Sequence, residues 1–152
     1  MNQQNLETIK KTVEEFFQKI TFEVEIDLLP EKEETVPINL KMDEPQILIG
    51  EGGQTLNEIQ HLLKAILRRK ISEPFYINLD INDYKKKKTE YLRELARSLA
   101  DEVSLTKKEK TLAPMPAYER RIIHLELSNR SDVFSESTDE EPNRKIIIKP
   151  RS

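Results

Sequence analysis

The sequence predicts an α+β protein made of two small domains in tandem, with element order α-β-β-α-α-β followed by α-β-α-β-β. Three observations carry this expectation. Apolar residues switch repeatedly between helical spacing and strict alternation. The only three glycines of the chain, Gly50, Gly52 and Gly53, fall together in one break between two helical segments. Charge is also unevenly divided. Residues 1–61 hold 13 acidic and 5 basic side chains, a net of −8, whereas residues 62–152 hold 15 acidic and 20 basic, a net of +5. Asn82-Asp83 reads as the boundary, which divides the chain into domains 1–81 and 82–152.

Leu6, Ile9, Val13, Phe16, Phe17 and Ile20 recur at helical spacing and predict an amphipathic helix over about 3–19. Phe22, Val24, Ile26 and Leu28 alternate with acidic residues, the pattern of a half-buried strand. After the charged turn at residues 30–34, Val36, Ile38 and Leu40 alternate again, and Pro37 points to an edge strand or a strand end. Asp43 is the expected N-cap of a short helix carrying Ile47 and Leu48 and stopping at Gly50. Leu56, Ile59, Leu62, Leu63, Ile66 and Leu67 mark the next helix, to about Lys70, and Phe75 to Ile81 alternate as a third strand.

The second domain opens with a helix from about Asp83 to Ser104, carrying Leu92, Leu95, Leu99 and Val103. Residues 111–113 form a candidate short strand. Pro116 suits the start of a helix through about Leu127, ended by Ser128-Asn129-Arg130. Val133 to Thr138 and Arg144 to Lys149 read as two strands joined by the acidic loop Asp139-Glu140-Glu141-Pro142.

Composition narrows the function classes. With no cysteine, disulfides and thiolate metal sites are excluded, and with two histidines no metal site is expected. No apolar run approaches the roughly 20 residues of a membrane span, and the N-terminus lacks the apolar core of a secretory signal. A soluble cytoplasmic protein without a cofactor is the expectation. The average pI of 5.6 argues against nucleic acid only if charge were uniform; local fields bind ligands.

The loop Gly50-Glu51-Gly52-Gly53 fits a G-x-x-G pattern between two helices. Such a loop brings a sugar-phosphate backbone against main-chain N–H groups, with Gln54 and Thr55 at the start of the following helix. It lacks the lysine of a Walker A loop, and Thr55 stands where a dinucleotide fingerprint requires its third glycine. A plain helix-helix turn is the alternative.

In the second half, Arg120 and His124 are four residues apart on one helical face, and Arg121 adjoins them. Arginine offers a planar fork of donors to phosphate, and histidine donates to phosphate or stacks on a base. The alternative is a packed histidine and an arginine paired with Glu119 or Glu126. No third orienting partner is visible, so no catalytic residue is assigned. Lys85, Lys86, Lys87 and Lys88 are candidate phosphate contacts at the start of the long helix. There they oppose the helix dipole by roughly a few tenths of a kcal/mol each, although a solvated face is the commoner use of such a run.

The order of the first six elements and the string from Ile49 to Leu62 (I-G-E-G-G-Q-T-L-N-E-I-Q-H-L) resemble a type II KH domain, a binder of single-stranded nucleic acid. The string from Pro114 to His124 (P-M-P-A-Y-E-R-R-I-I-H) and the run R-K-I-I-I-K-P resemble the Arg-x-x-x-His domain, named for an arginine and a histidine separated by three residues. Together they are similar to the bacterial Jag-like, or sporulation-insertase-associated, proteins. That resemblance implies binding of single-stranded RNA (or DNA) without chemistry. It also implies a role in post-transcriptional control linked to the cell envelope or division, and a small single-KH-domain protein as partner. The family's loop usually carries basic residues at its two middle positions, where this chain has Glu51 and Gly52. A loop turned over to protein contact, in a protein-interaction module whose KH half no longer binds RNA, is therefore the rival expectation.

Overall fold

A computed structural model describes all 152 residues, Met1–Ser152. The chain separates into two compact units, Met1–Lys85 and Lys86–Ser152.

Unit 1 contains α1 (Gln3–Lys19), β1 (Glu25–Leu28), β2 (Thr35–Lys41), α2 (Gln46–Ile49), a 3-10 turn at Glu51–Gly53, α3 (Gln54–Arg68) and β3 (Tyr76–Ile81). The expected α-β-β-α-α-β order is the observed one. Asn2 caps α1 by accepting from the Asn5 N–H. The sheet runs β1-β2-β3, with β1 antiparallel and β3 parallel to β2. A parallel pair needs a long crossover, and α2, the glycine turn and α3 supply it. Alternation places Val36, Ile38 and Leu40 of β2 and Leu79 and Ile81 of β3 in the core, against Ile9, Val13 and Phe17 of α1 and Leu56, Leu63 and Leu67 of α3.

Two sequence expectations are corrected here. Pro37 lies in the central strand, not an edge. It sits opposite Leu29, just past the end of β1, and its carbonyl accepts from the Leu29 N–H. The missing proline N–H therefore costs the sheet one terminal bond and no interior one. Asp43 does not cap α2: Glu44 turns through φ 50°, Pro45 takes the cap position, and no side chain bonds there.

The free edge of β3 is closed by side chains. Gln60 of α3 accepts from the Leu79 N–H at 2.9 Å, and Asp80 accepts from its neighbour Ile81 and from Lys85, also at 2.9 Å and 3.0 Å. Asn82 exchanges two hydrogen bonds with the Met42 backbone, extending the sheet one position by an amide side chain.

Unit 2 takes up α4 (Tyr84–Thr106) after its first two residues, then β4 (Lys110–Thr111), α5 (Ala117–Leu127), β5 (Val133–Thr138) and β6 (Lys145–Pro150). Its sheet runs β4-β6-β5, antiparallel throughout. Leu92, Ala96, Ala100 and Val103 of α4 form the buried stripe, joined by Ile123 and Leu127 of α5 and by Val133, Ile146 and Ile148. α5 packs on β5, which positions the side chains described next. Ile123 is fully buried in this small core. Ile123→Ala is expected to lower the unfolding free energy of unit 2 by about 2–5 kcal/mol, read from urea denaturation.

Candidate nucleic-acid interface

In unit 1, all three glycines have positive φ: 74° at Gly50, 61° at Gly52 and 83° at Gly53. Gly50 is required twice over. Its φ/ψ of 74°/179° is a region left to glycine, and a Cβ there would collide with the Thr55 side chain and lie 2.9 Å from the Thr55 N. A Cβ on Gly53 would meet the Tyr84 ring at 3.0 Å. Gly52 faces open space, with nothing within 4 Å of such an atom. The loop thus turns tightly into α3, which has Gly53 at its N-cap and no capping side chain. Glu51 and Gly52 are exposed at its apex. Gln54 donates to Glu58 at 3.2 Å, and Thr55 lies against Gly50. Beside the loop, Ile47 is 72% exposed, an apolar side chain with no core to enter.

In unit 2, the connection from β4 to α5 builds the second cluster. Met115 N–H donates to the Arg144 carbonyl at 3.2 Å, which lays the start of α5 beside the entry to β6. Arg120, one turn into α5, then donates from Nη1 back to the Met115 carbonyl at 2.7 Å, and its Nη2 meets Glu141 at 3.0 Å. Only 8% of Arg120 remains exposed. One turn further on, His124 faces β5. Alternation puts Ser135 and Ser137 on the strand face that carries buried Val133. Their hydroxyls bond both ring nitrogens, Nδ1 at 2.6 Å and Nε2 at 2.9 Å. Burial, and then the nearby Arg120 and Arg144 charges, hold the His124 pKa below its ordinary 6.5. The imidazole is therefore neutral at pH 7, with one serine donating to it and the other accepting from it.

These side chains line an open groove of about 440 Å³, with Arg120, Arg121, His124, Ser137 and Arg144 at its polar positions and Leu125 along α5. Arg121 is exposed, and Leu125 is 65% exposed. The structure thus brings together Arg120, Arg121 and His124, as the helical spacing predicts. It adds Arg144, Ser135 and Ser137, none of which the sequence singles out as site residues. Arg144 donates to the Asp139 carbonyl at 2.8 Å.

The lysine run does not act as a unit. Lys85 Nζ reaches Asn78 at 2.8 Å and Gln60 at 3.0 Å, and burial lowers its pKa. Lys88 lies 3.7 Å from buried Glu119 and over the Tyr91 ring. Lys86 and Lys87 are exposed. Arg130, Lys110 and Lys149 each meet a carboxylate; Arg130 is forked onto Asp132 and also bonds Asp101.

Comparison with known proteins agrees with this geometry. Residues 90–150 match the family model of the Arg-x-x-x-His domain, which covers α5, its arginine-histidine pair and the closing strands. A protein of Clostridium symbiosum named RNA-binding protein KhpB is 37% identical over 147 residues, spanning 93% of this chain and 66% of that relative. Proteins of the same name from Bacillus subtilis (37% over 120 residues, 78% of this chain and 58% of the relative) and Lactiplantibacillus plantarum (33% over 111 residues, 73% and 34%) are also similar. The chain belongs to this Jag-like family. It spans between about a third and two thirds of the length of the curated relatives it matches.

Two measurements check the geometry. Gly50→Ala is expected to destabilise unit 1 by about 1–3 kcal/mol, while Gly52→Ala, facing open space, costs about 1 kcal/mol for its left-handed backbone alone. Urea denaturation of both variants would read the difference. For His124, the folded pKa lies below the unfolded one, so the unfolded chain binds the proton first. Stability contributed by the neutral ring is complete above about pH 6.5 and declines as pH falls from there towards the lower folded pKa. An NMR titration of the imidazole carbon-bound protons should give a midpoint below 6.5, and His124→Gln should flatten the decline.

Proposed function

We propose that the protein binds single-stranded RNA and performs no chemistry on it. The observation that carries this reading is the groove of unit 2: cationic forks of Arg121 and Arg144 flank a neutral imidazole and an exposed apolar side chain, the mixture that suits phosphates and bases together. The printed names of the relatives, all RNA-binding proteins, support it. The groove is open along one side, as a strand requires.

In the same reading, residues 1–81 form a type II KH domain and residues 82–152 the Arg-x-x-x-His domain. Main-chain groups of Gly50, Glu51, Gly52 and Gly53, with Gln54 and Thr55, meet the sugar-phosphate backbone in the first. Arg120, Arg121 and His124 serve the second, with Lys86 and Lys87 as exposed auxiliary cations. Arg120 acts partly by holding the α5 start to Met115, and Lys85 by tying α4 to Asn78 and Gln60. The family resemblance extends the reading to the cytoplasm, to post-transcriptional control linked to envelope or division, and to a small single-KH partner. No helix is long and apolar enough to cross a membrane.

Glu51 and the exposed Ile47 favour a second reading, in which the unit 1 loop docks a protein. A carboxylate about 5 Å from a phosphate opposes binding by roughly 3 kcal/mol at an effective dielectric of 20, and by less where water screens it.

Fluorescence anisotropy with a short labelled single-stranded RNA at two salt concentrations decides between them. The RNA reading requires an affinity that falls linearly with the logarithm of salt; no binding at low salt favours protein docking. Arg121→Ala, on an exposed position, is expected to weaken binding several-fold and leave the melting temperature unchanged. Glu51→Lys is expected to tighten it if the loop meets phosphate. Arg120→Ala should lose affinity and stability together, because it strips the Met115 carbonyl of its partner.

A further inference from the structure

The cations of the unit 2 groove are already occupied, and by one segment of the chain. The loop between β5 and β6 carries Asp139, Glu140 and Glu141 in succession. The Glu141 carboxylate sits 3.0 Å from Arg120 Nη2, the outward-facing amine of a guanidinium whose other amine is spent on Met115. The Asp139 carbonyl accepts from Arg144 at 2.8 Å, and its carboxylate lies 3.2 Å from Lys145. Arg120 is buried, whereas the Glu141 side chain is 59% exposed. The fixed partner is the arginine, and the carboxylate comes to it from solvent.

The geometry points to an exchange. The Glu141 carboxylate marks the seat of an RNA phosphate on Arg120, and the acidic loop is an internal competitor that the strand must displace. This rests on the RNA reading of the same groove. A carboxylate and a phosphate offer a guanidinium the same planar pair of oxygen acceptors, so one replaces the other without rebuilding the site. The two differ in number. Glu141 brings one charge on a tethered, solvated side chain, whereas a strand brings successive phosphates to Arg120, Arg121 and Arg144. A free anion gains too little to open the loop, and a polyanion gains enough. The acidic loop thus works as a threshold against single phosphates and keeps three basic side chains, Arg120, Arg144 and Lys145, neutralised when no strand is bound.

Glu141→Gln keeps the shape of the side chain and removes its charge. Anisotropy with the same single-stranded RNA should show affinity raised roughly three- to tenfold, and a salt slope steeper by about 0.7, because one more cation meets phosphate. Glu140→Gln removes an equal charge from a neighbour that holds no groove cation. It should gain about twofold at most, which separates local exchange from the overall change in charge. Thermal melts of each variant verify that unit 2 is folded. In parallel, the Arg120 Nε–H signal is followed by NMR while inorganic phosphate is added. It should move at lower phosphate concentration in Glu141→Gln than in the unsubstituted protein.

Equal RNA affinity and equal phosphate response in the two proteins would overturn the exchange. So would a Glu140→Gln gain as large as that of Glu141→Gln. If neither protein binds RNA, yet phosphate moves the Arg120 signal more readily in Glu141→Gln, the RNA reading falls and the exchange at Arg120 stands.

Discussion

A guanidinium and an imidazole are packed one turn apart on α5, and such a pair survives inside a protein only if each polar atom finds a partner. That requirement shapes unit 2. Arg120 is satisfied by the Met115 carbonyl and Glu141, and His124 by Ser135 and Ser137. No buried side-chain nitrogen or oxygen is left unpaired. Because these partners come from the β4–α5 connection, β5 and the β5–β6 loop, the two side chains set the register of three chain segments about α5. Ile123 and Leu127 drive α5 onto the sheet; the polar pairs decide which way it is rotated when it arrives.

The glycine turn of unit 1 meets a different constraint. Its positive φ angles follow from where α2 must end and α3 must begin, and Thr55 and Tyr84 close the space in which side chains would grow at Gly50 and Gly53. Gly52 alone has freedom, together with exposed Glu51 beside it. The backbone of the loop is dictated by the fold, while its chemistry is left to two positions that the fold does not use. An acidic residue at one of them changes what approaches without disturbing the turn.

Periodicity made most of the fold legible in the sequence. The strand over Val133–Thr138 and the helix over Gln3–Lys19 lie where alternation and helical spacing put them, because both depend on nearby residues. Pro37 and Asp43 misled for one reason: a residue's local preference says nothing of where the neighbouring strand ends or which way the chain enters a turn. The arginine-histidine pair was visible because both members share one helix. Arg144, Ser135 and Ser137 were not, since only the packing of α5 on β5 and the backbone bond from Met115 to Arg144 bring them there. Val133, Ser135 and Ser137 do share a strand face, and a face that turns from apolar to hydroxyl was the one available sign that a polar side chain lay opposite.

A count of charges also misstates the interface. Residues 62–152 carry 20 basic side chains, yet many of those near the groove or along α4 are held by carboxylates, carbonyls or amides of their own unit. Exposed ion pairs of this kind are worth little to stability, about 0–1 kcal/mol each. Their consequence for binding is larger, since a cation already beside an anion contributes only the difference between its two partners when a phosphate arrives. Affinity for a polyanion is thus set by exposed cations such as Arg121, Lys86 and Lys87 and by how weakly the others are held. On this argument the net charge of −3 and the basic excess of the second half are both poor guides. The mobility of the acid that each arginine holds is the better one, and at Arg120 that acid stands in solvent.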